Sequence, residues 1–385
     1  MDITESRHLI QDKTYLKANY RVGNKTDIPK ILLIKLGAIG DLVLASSFFE
    51  QLKKSFTHSE IVLVVGRSSY PAVEHNPNIS RFILADDYVL YHGGLFLRTL
   101  ECLRLIYKLR KEEFDLAFVL HRAWPFNLLA YLVNIATRVG FGRGHEGMFL
   151  THPTLVHPFQ NERESYLDLL RKININAVYK KTYYYLSNEE KDFLNLFLER
   201  YHIFSNENVV ILAPGGGENA KSTMITKRWP VENYIELIRR FQDDQSCRVI
   251  LAGGPGDREI TNNIIEKCPG SVDATDLSFG NMASLFRRCS LFIGNDSAPN
   301  HIAASIGIPC IGIWGPTDPR QWAPPDKNST IIIHEGIECH PCFKDGRFPH
   351  CSHIKCMTSI TVDDVWNRIE TIQPTNKKNN LPVHC

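Results

Sequence analysis

The chain lacks a long apolar run, a secretory signal and a strong net charge. Among its 385 residues, no stretch approaches the roughly eighteen consecutive apolar residues that a membrane-spanning helix needs. The first residues, MDITESRHLIQDKTY, are too polar for a secretory signal. A formal charge of +2 gives no support to a nucleic-acid binder with a basic face. We therefore expect a cytoplasmic protein.

Two common phosphate-binding motifs are also missing. The glycine-rich stretch 214–217 fits neither GxGxxG nor the P-loop pattern GxxxxGK followed by Ser or Thr. This disfavours a Rossmann dehydrogenase and a P-loop kinase.

What the chain does contain is a repeated alternation of apolar strands and amphipathic helices. Apolar runs such as Ile31–Lys35 and Val209–Ala213 are typical of central parallel strands covered on both faces. The alternation predicts an α/β protein with two Rossmann-like parallel-sheet domains. It also predicts a short helix near Tyr70–His75 and a strand at Tyr183–Tyr185. The predicted parts are a polar leader (1–29), an N-terminal domain (30–187), an inter-domain helix and linker (188–208), a C-terminal domain (209–372) with a Cys-rich loop (339–356), and a tail (373–385).

The stretch Leu291–Pro319 is the most informative part of the sequence. It predicts a buried strand, a polar turn, a helix and a second buried strand. The turn brings Asp296 and Ser297 to a helix start, where unpaired N–H groups and the helix dipole favour an anion. His301 follows within that helix. We interpret the group as a site for a phosphorylated ligand, with a helix cap and a surface histidine as the alternative.

Asp41 is the best candidate for a general base. It follows a strand and a glycine turn, and an aspartate is ionised at neutral pH. The alternative, that Asp41 only caps a helix, is about as consistent with the sequence. Lys227 and Arg228 follow the second glycine loop at a helix start, where the dipole disfavours cations. An anion bound nearby would explain them, and the alternative is that both are solvated charges at the helix start.

Ten cysteines are present, and four of them are clustered. Cys339, Cys342, Cys351 and Cys356 have spacings that could close a tetrahedral structural zinc site. The alternatives are reduced thiols or one disulfide, since the eight-residue gap is not a standard zinc-ribbon spacing.

Four motifs together resemble the ADP-heptose:lipopolysaccharide heptosyltransferases. They are LLIKLGAIGDLVLA, KRWP, LAGGPGD and GNDSAPNHIAASIGIPCIGIWGPTDP, and the resemblance covers roughly Ile31 to Ile369. It implies a GT-B fold, with two facing Rossmann-like domains that bind the acceptor and the nucleotide-sugar. The acceptor side would include Gly40 and Asp41. The implied donor-binding residues are Gly215, Gly216, Lys227, Gly254, Asp257, Asp296, Ser297, Ala298 and His301.

The resemblance also implies a mechanism and partners. Asp41 matches the catalytic base and Lys227 the diphosphate-binding lysine of an inverting, metal-independent transfer, with ADP-heptose as donor and a lipopolysaccharide-type glycolipid as acceptor. Because the chain has Ala298 where the family usually has glycine, the turn there is expected to differ. Asp86-Asp87 and Asp243-Asp244 are interpreted as solvated surface, not as a metal-binding pair.

A membrane-anchored acceptor predicts peripheral contact with the inner membrane through basic residues on one helix. These are Arg98, Arg104, Lys108, Arg110 and Lys111. The alternative functions are a catalytically silent nucleotide-sugar-binding assembly protein and a GT-B nucleotide-sugar epimerase. Retention of both Asp41 and Lys227 argues against the silent protein.

Overall fold

The computed structural model describes residues 29–142, 144–216, 218–219, 222–243, 247–343 and 348–372. Residues 1–28 of the predicted leader and the whole predicted tail, 373–385, lie outside the described residues. The chain forms two compact units that divide after Ser187, with Asn219, Ser222, Thr223 and Arg320–Pro325 belonging to the first unit. In the described ranges, every helix is too short or too polar to cross a membrane.

The first unit is a six-stranded parallel sheet in the order β3-β2-β1-β4-β5-β6. Its strands are β1 Lys30–Ile34, β2 Glu60–Gly66, β3 Arg81–Ala85, β4 Leu116–Val119, β5 Thr137–Phe141 and β6 His152–Thr154. Its helices are α1 Ile39–Leu44, α2 Ser46–Ser55, α3 Asp87–His92, α4 Leu95–Arg110, α5 Trp124–Leu132 and α6 Glu162–Arg171.

The second unit repeats this topology in the order β11-β10-β7-β12-β13-β14, again all parallel. Its strands are β7 Asn208–Ala213, β10 Cys247–Gly253, β11 Val272–Thr275, β12 Leu291–Asn295, β13 Cys310–Ile313 and β14 Ser329–Ile332. The two-residue strands β8 Glu218–Asn219 and β9 Ser222–Thr223 lie in the loop after β7. The helices that follow Ser187 are α7 Asn188–Arg200, α8 Val231–Asp243, α9 Arg258–Lys267, α10 Phe279–Phe286, α11 Ala298–Ile306, α12 Pro319–Trp322, α13 Lys355–Thr358 and α14 Val362–Ile372.

Alternate residues of β1 show why its apolar run predicted a strand covered on both faces. Ile31 and Leu33 join a buried cluster with residues of α1, α2 and α6. Leu32 and Ile34 join a second cluster with residues of α4 and α5. Because successive side chains of a strand point to opposite faces, helices cover both sides of this sheet. The predicted α/β class with two Rossmann-like sheets is confirmed.

The predicted linker differs from the structure. Residues 188–208 belong to the second unit, where α7 packs against α10. The approach is close at Gly280, where an added Cβ would overlap the carboxylate of Glu190. The helix is therefore part of the second unit's fold.

The predicted strand at Tyr183–Tyr185 is wrong. The backbone N–H of Tyr183 donates to the Ser46 hydroxyl at 2.7 Å, and the rings of Tyr183 and Tyr185 stack 6.0 Å apart. Aromatic residues have high strand propensity, but propensity mostly records a fit to a half-buried surface. Here the tyrosines line the unit's surface without joining the sheet.

Two further local predictions need correction. The helix predicted near 70–75 is only a single 3-10 turn at Tyr70–Ala72. Asp87 was interpreted as solvated, yet it is buried and accepts hydrogen bonds from the hydroxyl and N–H of Ser68. Asp86 caps α3 by accepting from the N–H of Val89 at 3.0 Å. Asp243 is exposed as predicted, and residue 244 lies outside the described residues.

Candidate active site

In each unit, the candidate residues follow the carboxyl ends of parallel strands. Asp41 follows β1, Gly215 follows β7 and Asp296 follows β12. The strands β1/β4 and β7/β12 are the neighbours at which the strand order reverses. In open α/β sheets, ligands bind outside the carboxyl ends at such a reversal.

In the first unit, Asp41 is oriented by a buried lysine. Its Oδ2 lies 2.8 Å from Nζ of Lys35, whose side chain is 4% exposed while that of Asp41 is 24% exposed. The N-cap of α1 is Ala38, which makes no side-chain cap, and Asp41 lies in the first turn. The alternative that Asp41 only caps the helix is therefore wrong. Its carboxylate is fixed in direction and still accessible.

A second ion pair lies beside the first. The carboxylate of Glu162, at the start of α6, is fully buried and is bonded to the guanidinium of Arg122. Burial raises the pKa of Glu162, while Arg122 and Lys35 act to lower it. Burial and the charges of Glu162 and Asp41 raise the pKa of Tyr166 well above its ordinary range. These groups form one electrostatic network around Asp41.

Three residues of this network, Lys35, Arg122 and Glu162, are not among the site residues predicted from the sequence. Lys35 ends the apolar run ILLIK, and a lysine directly after a buried strand was the available signal. The pairing of Arg122 with Glu162 joins residues 40 positions apart and leaves no local pattern. Gly40, the other predicted acceptor-side residue, is buried in α1 next to Asp41.

In the second unit, Lys227 is paired with Asp296. The distance from Nζ to Oδ2 is 2.6 Å, and the side chains are 12% and 6% exposed. The hydroxyl of Thr317 donates to the same oxygen at 2.5 Å. Lys227 is thus not a solvated charge at a helix start, as the alternative interpretation required. It is held at the carboxyl end of β12, beside the start of α11.

Asp257 ties three loops together. Its Oδ1 accepts from the N–H of Gly216 at 2.9 Å and from the guanidinium of Arg228 at 3.2 Å. Its Oδ2 accepts from the N–H of Gly254 at 3.0 Å. The position of Asp257 after a glycine turn predicts an N-cap of α9, and Asp257 occupies that position without a side-chain cap. Its carboxylate shapes the glycine loops instead.

The two glycines after β7 allow this close packing. A Cβ on Gly215 would lie 2.0 Å from the carboxylate of Asp257. Gly216 has φ of +93°, and a Cβ there would lie 2.6 Å from Cβ of Ser297. The glycine loop therefore lies directly against the start of α11. Residue 217 lies outside the described residues.

Asn295 links the same loops. The sequence places it in the polar turn beside Asp296 and Ser297, although it is not among the donor-binding residues that the resemblance implies. Its Oδ1 accepts from the N–H of Trp229 at 3.1 Å and from the hydroxyl of Tyr234 at 3.0 Å. Its Nδ2 donates to the carbonyls of Pro214 and Gly215 at 2.9 and 3.0 Å. The side chain is buried, so its bonds hold the glycine loop and the KRWP segment in fixed positions.

The helix start that follows is regular. Ser297 is the N-cap with an extended backbone, and α11 begins at Ala298. Ala298 is not among the described residues with positive φ, so the turn does not need the glycine that was expected there. His301 is buried in α11, which excludes the surface-histidine alternative. The resulting arrangement directs a helix N-terminus and Lys227 to one place, which suits a diphosphate.

The four clustered cysteines are close enough to influence one another. Burial raises the pKa of Cys356 to about 11, with Cys342, Cys339 and Cys351 adding to the rise. The Sγ of Cys351 lies 3.8 Å from Nδ1 of His353. Within the part of the chain that the structure describes, no three His, Cys, Asp or Glu side chains have the arrangement of a metal site. The described geometry does not support the zinc site, which stays a prediction.

The family model of glycosyltransferase family 9 (heptosyltransferase) matches residues 102–352, more than half of the chain. The chain belongs to this family. The chain is therefore a glycosyltransferase, and the match confirms the resemblance inferred from the four motifs.

Curated relatives are similar over most of their length. Lipopolysaccharide heptosyltransferase 3 of Escherichia coli is 25% identical over 75% of this chain and 84% of its own. The lipopolysaccharide core heptosyltransferase OpsX of Haemophilus influenzae is 23% identical over 90% of this chain and 98% of its own.

Solved structures show the same fold. A family 9 glycosyltransferase from Veillonella parvula has a TM-score of 0.75 and 21% identity, covering 92% of this chain and 99% of its own. The E. coli heptosyltransferase WaaC with ADP-2-deoxy-2-fluoro heptose has a TM-score of 0.66 and 15% identity, covering 89% and 99%. The predicted GT-B fold class is confirmed.

Proposed function

We propose that this glycosyltransferase transfers a heptose from ADP-heptose to a hydroxyl of a lipopolysaccharide inner-core-type acceptor, with inversion at the anomeric carbon. The observation that carries the proposal is the Asp41 carboxylate. It is oriented by buried Lys35 and remains 24% exposed at the ligand-binding edge of its sheet. The family, and relatives that are named lipopolysaccharide heptosyltransferases, support the heptose and the lipopolysaccharide acceptor.

The proposed reaction is a single displacement. Asp41 takes the proton of the acceptor hydroxyl while that oxygen forms a bond to the anomeric carbon of the heptose. The bond from the anomeric carbon to the phosphate oxygen breaks, and its electron pair leaves with ADP. Lys35 holds the carboxylate in the direction that proton transfer requires, because its ammonium is itself fixed by burial.

In the second unit, we assign the diphosphate of the donor to Lys227 and the N-terminus of α11. Negative charge develops on the leaving diphosphate, and preorganised positive groups stabilise it most effectively. Lys227 and the helix dipole supply that charge, so the proposed displacement includes no metal-dependent step. Asp257 and Asn295 act by positioning, since their hydrogen bonds fix the glycine loop against Ser297.

The donor is tested first by ligand-induced stabilisation. A ligand that binds only the folded state raises the melting temperature with its saturation. ADP and ADP-heptose should stabilise the protein more than UDP, GDP, CMP and their sugars. A larger shift with another nucleotide would overturn the donor assignment.

The reaction is then tested with ADP-heptose and a lipopolysaccharide core acceptor. The proposal predicts release of ADP together with a product in which the new linkage has the inverted configuration. Donor conversion without acceptor would indicate an epimerase. Binding without turnover would indicate a silent binding protein, and either result contradicts the proposal.

A further inference from the structure

Helix α4, Leu95–Arg110, has two apolar faces. Leu105 and Leu109 point into the buried cluster beneath the helix. A second stripe lies on the opposite side at spacings of four, three and four residues, which place side chains on one face of a helix. The stripe consists of Phe96 (78% exposed), Leu100 (55%), Leu103 (57%) and Tyr107 (64%).

The first turn of α4 is exposed in several directions. Leu95, Phe96 and Leu97 are 83%, 78% and 50% exposed. Successive helix residues point about 100° apart. A partner helix packed along one face would cover only part of this turn, whereas insertion into the apolar layer of a lipid bilayer would cover all of it. Scattered exposed apolar residues are common, but a continuous stripe of this kind marks an interaction surface.

The same helix and the residue after it carry an excess of positive charge. Between Tyr88 and Lys111, the only acidic side chain is Glu101, which is buried and bonded to Arg104. The basic side chains are Arg98, Arg104, Lys108, Arg110 and Lys111. The Nζ of Lys111 lies 4.2 Å from the ring centroid of Tyr107. Large apolar side chains with neighbouring cations are typical of helices that lie in the surface of an anionic bilayer.

The position of α4 relates this surface to Asp41. The carboxyl ends of β1 and β3 lie at the same edge of the parallel sheet, and α3 and α4 follow β3 directly. Tyr91 of α3 has its pKa raised to about 12 by burial and by the charges of Asp87 and Asp41. The exposed first turn of α4 therefore begins at the edge that carries the proposed base.

We propose that the stripe Phe96–Leu100–Leu103–Tyr107 and the basic residues beside it dock the enzyme on an anionic phospholipid bilayer. Docking would deliver the Asp41 edge to an acceptor whose lipid part is anchored in that bilayer. This last step rests on the proposed function, but the docking itself does not. Docking of the exposed helix start at the bilayer surface would bury Phe96 and its neighbours among the acyl chains.

Vesicle flotation of the full chain tests the proposal. At roughly 0.15 M salt, we expect the protein to float with vesicles of phosphatidylcholine and phosphatidylglycerol, and much less with phosphatidylcholine alone. The double variant Phe96→Asp/Leu103→Asp should reduce binding by about tenfold or more. Lys108→Gln/Lys111→Gln should reduce it in the anionic vesicles. Leu196→Asp, at a residue of α7 that is 64% exposed, is the matched control and should bind normally.

Several outcomes would overturn the docking proposal. These are absence of flotation with anionic vesicles, and flotation that the Phe96→Asp/Leu103→Asp variant leaves unchanged. A lipid-free dimer that this variant dissociates would assign the surface to a second copy of the chain. The variant should keep its activity on a water-soluble core acceptor. If neither the unaltered protein nor the variant transfers heptose, but flotation still depends on Phe96 and Leu103, the proposed function fails and the docking proposal stands.

Discussion

Nζ of Lys227 and Oδ2 of Asp296 lie 2.6 Å apart at the start of α11, and Thr317 donates to the same carboxylate oxygen. The cation assigned to the diphosphate thus already has an anionic partner. When ADP binds, its phosphates would compete with Asp296 for the Lys227 ammonium. Part of the attraction between Lys227 and phosphate would therefore only compensate for the weakened Lys227–Asp296 pair. The N-terminus of α11 must contribute the rest.

Replacing Lys227 tests its part in nucleotide binding. Lys227→Met should weaken ADP binding by about 10- to 100-fold, because a charge-assisted hydrogen bond contributes about 1.5–3 kcal/mol. Isothermal titration calorimetry measures the change. Lys327→Met, at an exposed lysine of the same unit, is the control and should leave the affinity unchanged. Equal ADP affinity in Lys227→Met and the unaltered protein would refute the assignment.

The contact between Gly216 and Ser297 gives a second test. Gly216→Ala places a methyl group 2.6 Å from Cβ of Ser297 at a residue with φ of +93°, so the loop must move. We expect a loss of stability of about 1–2 kcal/mol from the left-handed backbone, and a further loss of ADP affinity. Gly270→Ala has nearly the same φ, +95°, but its Cβ would make only an ordinary contact, 3.8 Å from Nε2 of Gln242. Urea unfolding and calorimetry should show similar backbone costs and an ADP defect only in Gly216→Ala.

Much of the fold could be predicted from the sequence because buried parallel strands are continuous apolar runs. Central strands of both sheets were predicted from such runs, which lie after Pro29, after Asn208 and at Leu291–Ile293. The edge at which Asp41, Gly215 and Asp296 lie followed from the parallel topology. These features can be predicted because they depend on patterns among residues that are neighbours in the sequence.

The polar partners could not be predicted because they join distant parts of the chain. Asn295 bonds to Trp229 and Pro214, and only the folded sheet brings these residues together. Burial also reversed the interpretation of Asp87, since acidic residues are usually solvated. At Tyr183–Tyr185, a strand was predicted where the structure has none. High strand propensity is not sufficient there, because no neighbouring strand is available for pairing.

The clustered cysteines give a pH-dependent prediction. The thiolate is the reactive form, and burial together with the neighbouring thiols raises the pKa of Cys356 to about 11. At about pH 8, only roughly one molecule in a thousand would carry this thiolate. Alkylation of Cys356 should therefore be slow and should accelerate as the pH rises toward that value. Exposed Cys339, followed by mass spectrometry in the same sample, is the faster-reacting comparison.

The same samples test the zinc prediction. A protein that holds zinc through these thiols would show about one metal ion per chain by elemental analysis, and a chelator would increase alkylation of all four cysteines together. Metal-free protein with independent alkylation rates would show that the cluster is a set of reduced thiols.

The most direct test of the account is the turnover of Asp41→Asn with ADP-heptose and a lipopolysaccharide core acceptor. The variant keeps the shape of the side chain and removes the base, so kcat should fall by about 10²- to 10⁴-fold while ADP affinity stays the same. Asp243→Asn, at an exposed aspartate, should retain full activity. Unreduced kcat in Asp41→Asn would contradict the central claim that this carboxylate deprotonates the acceptor.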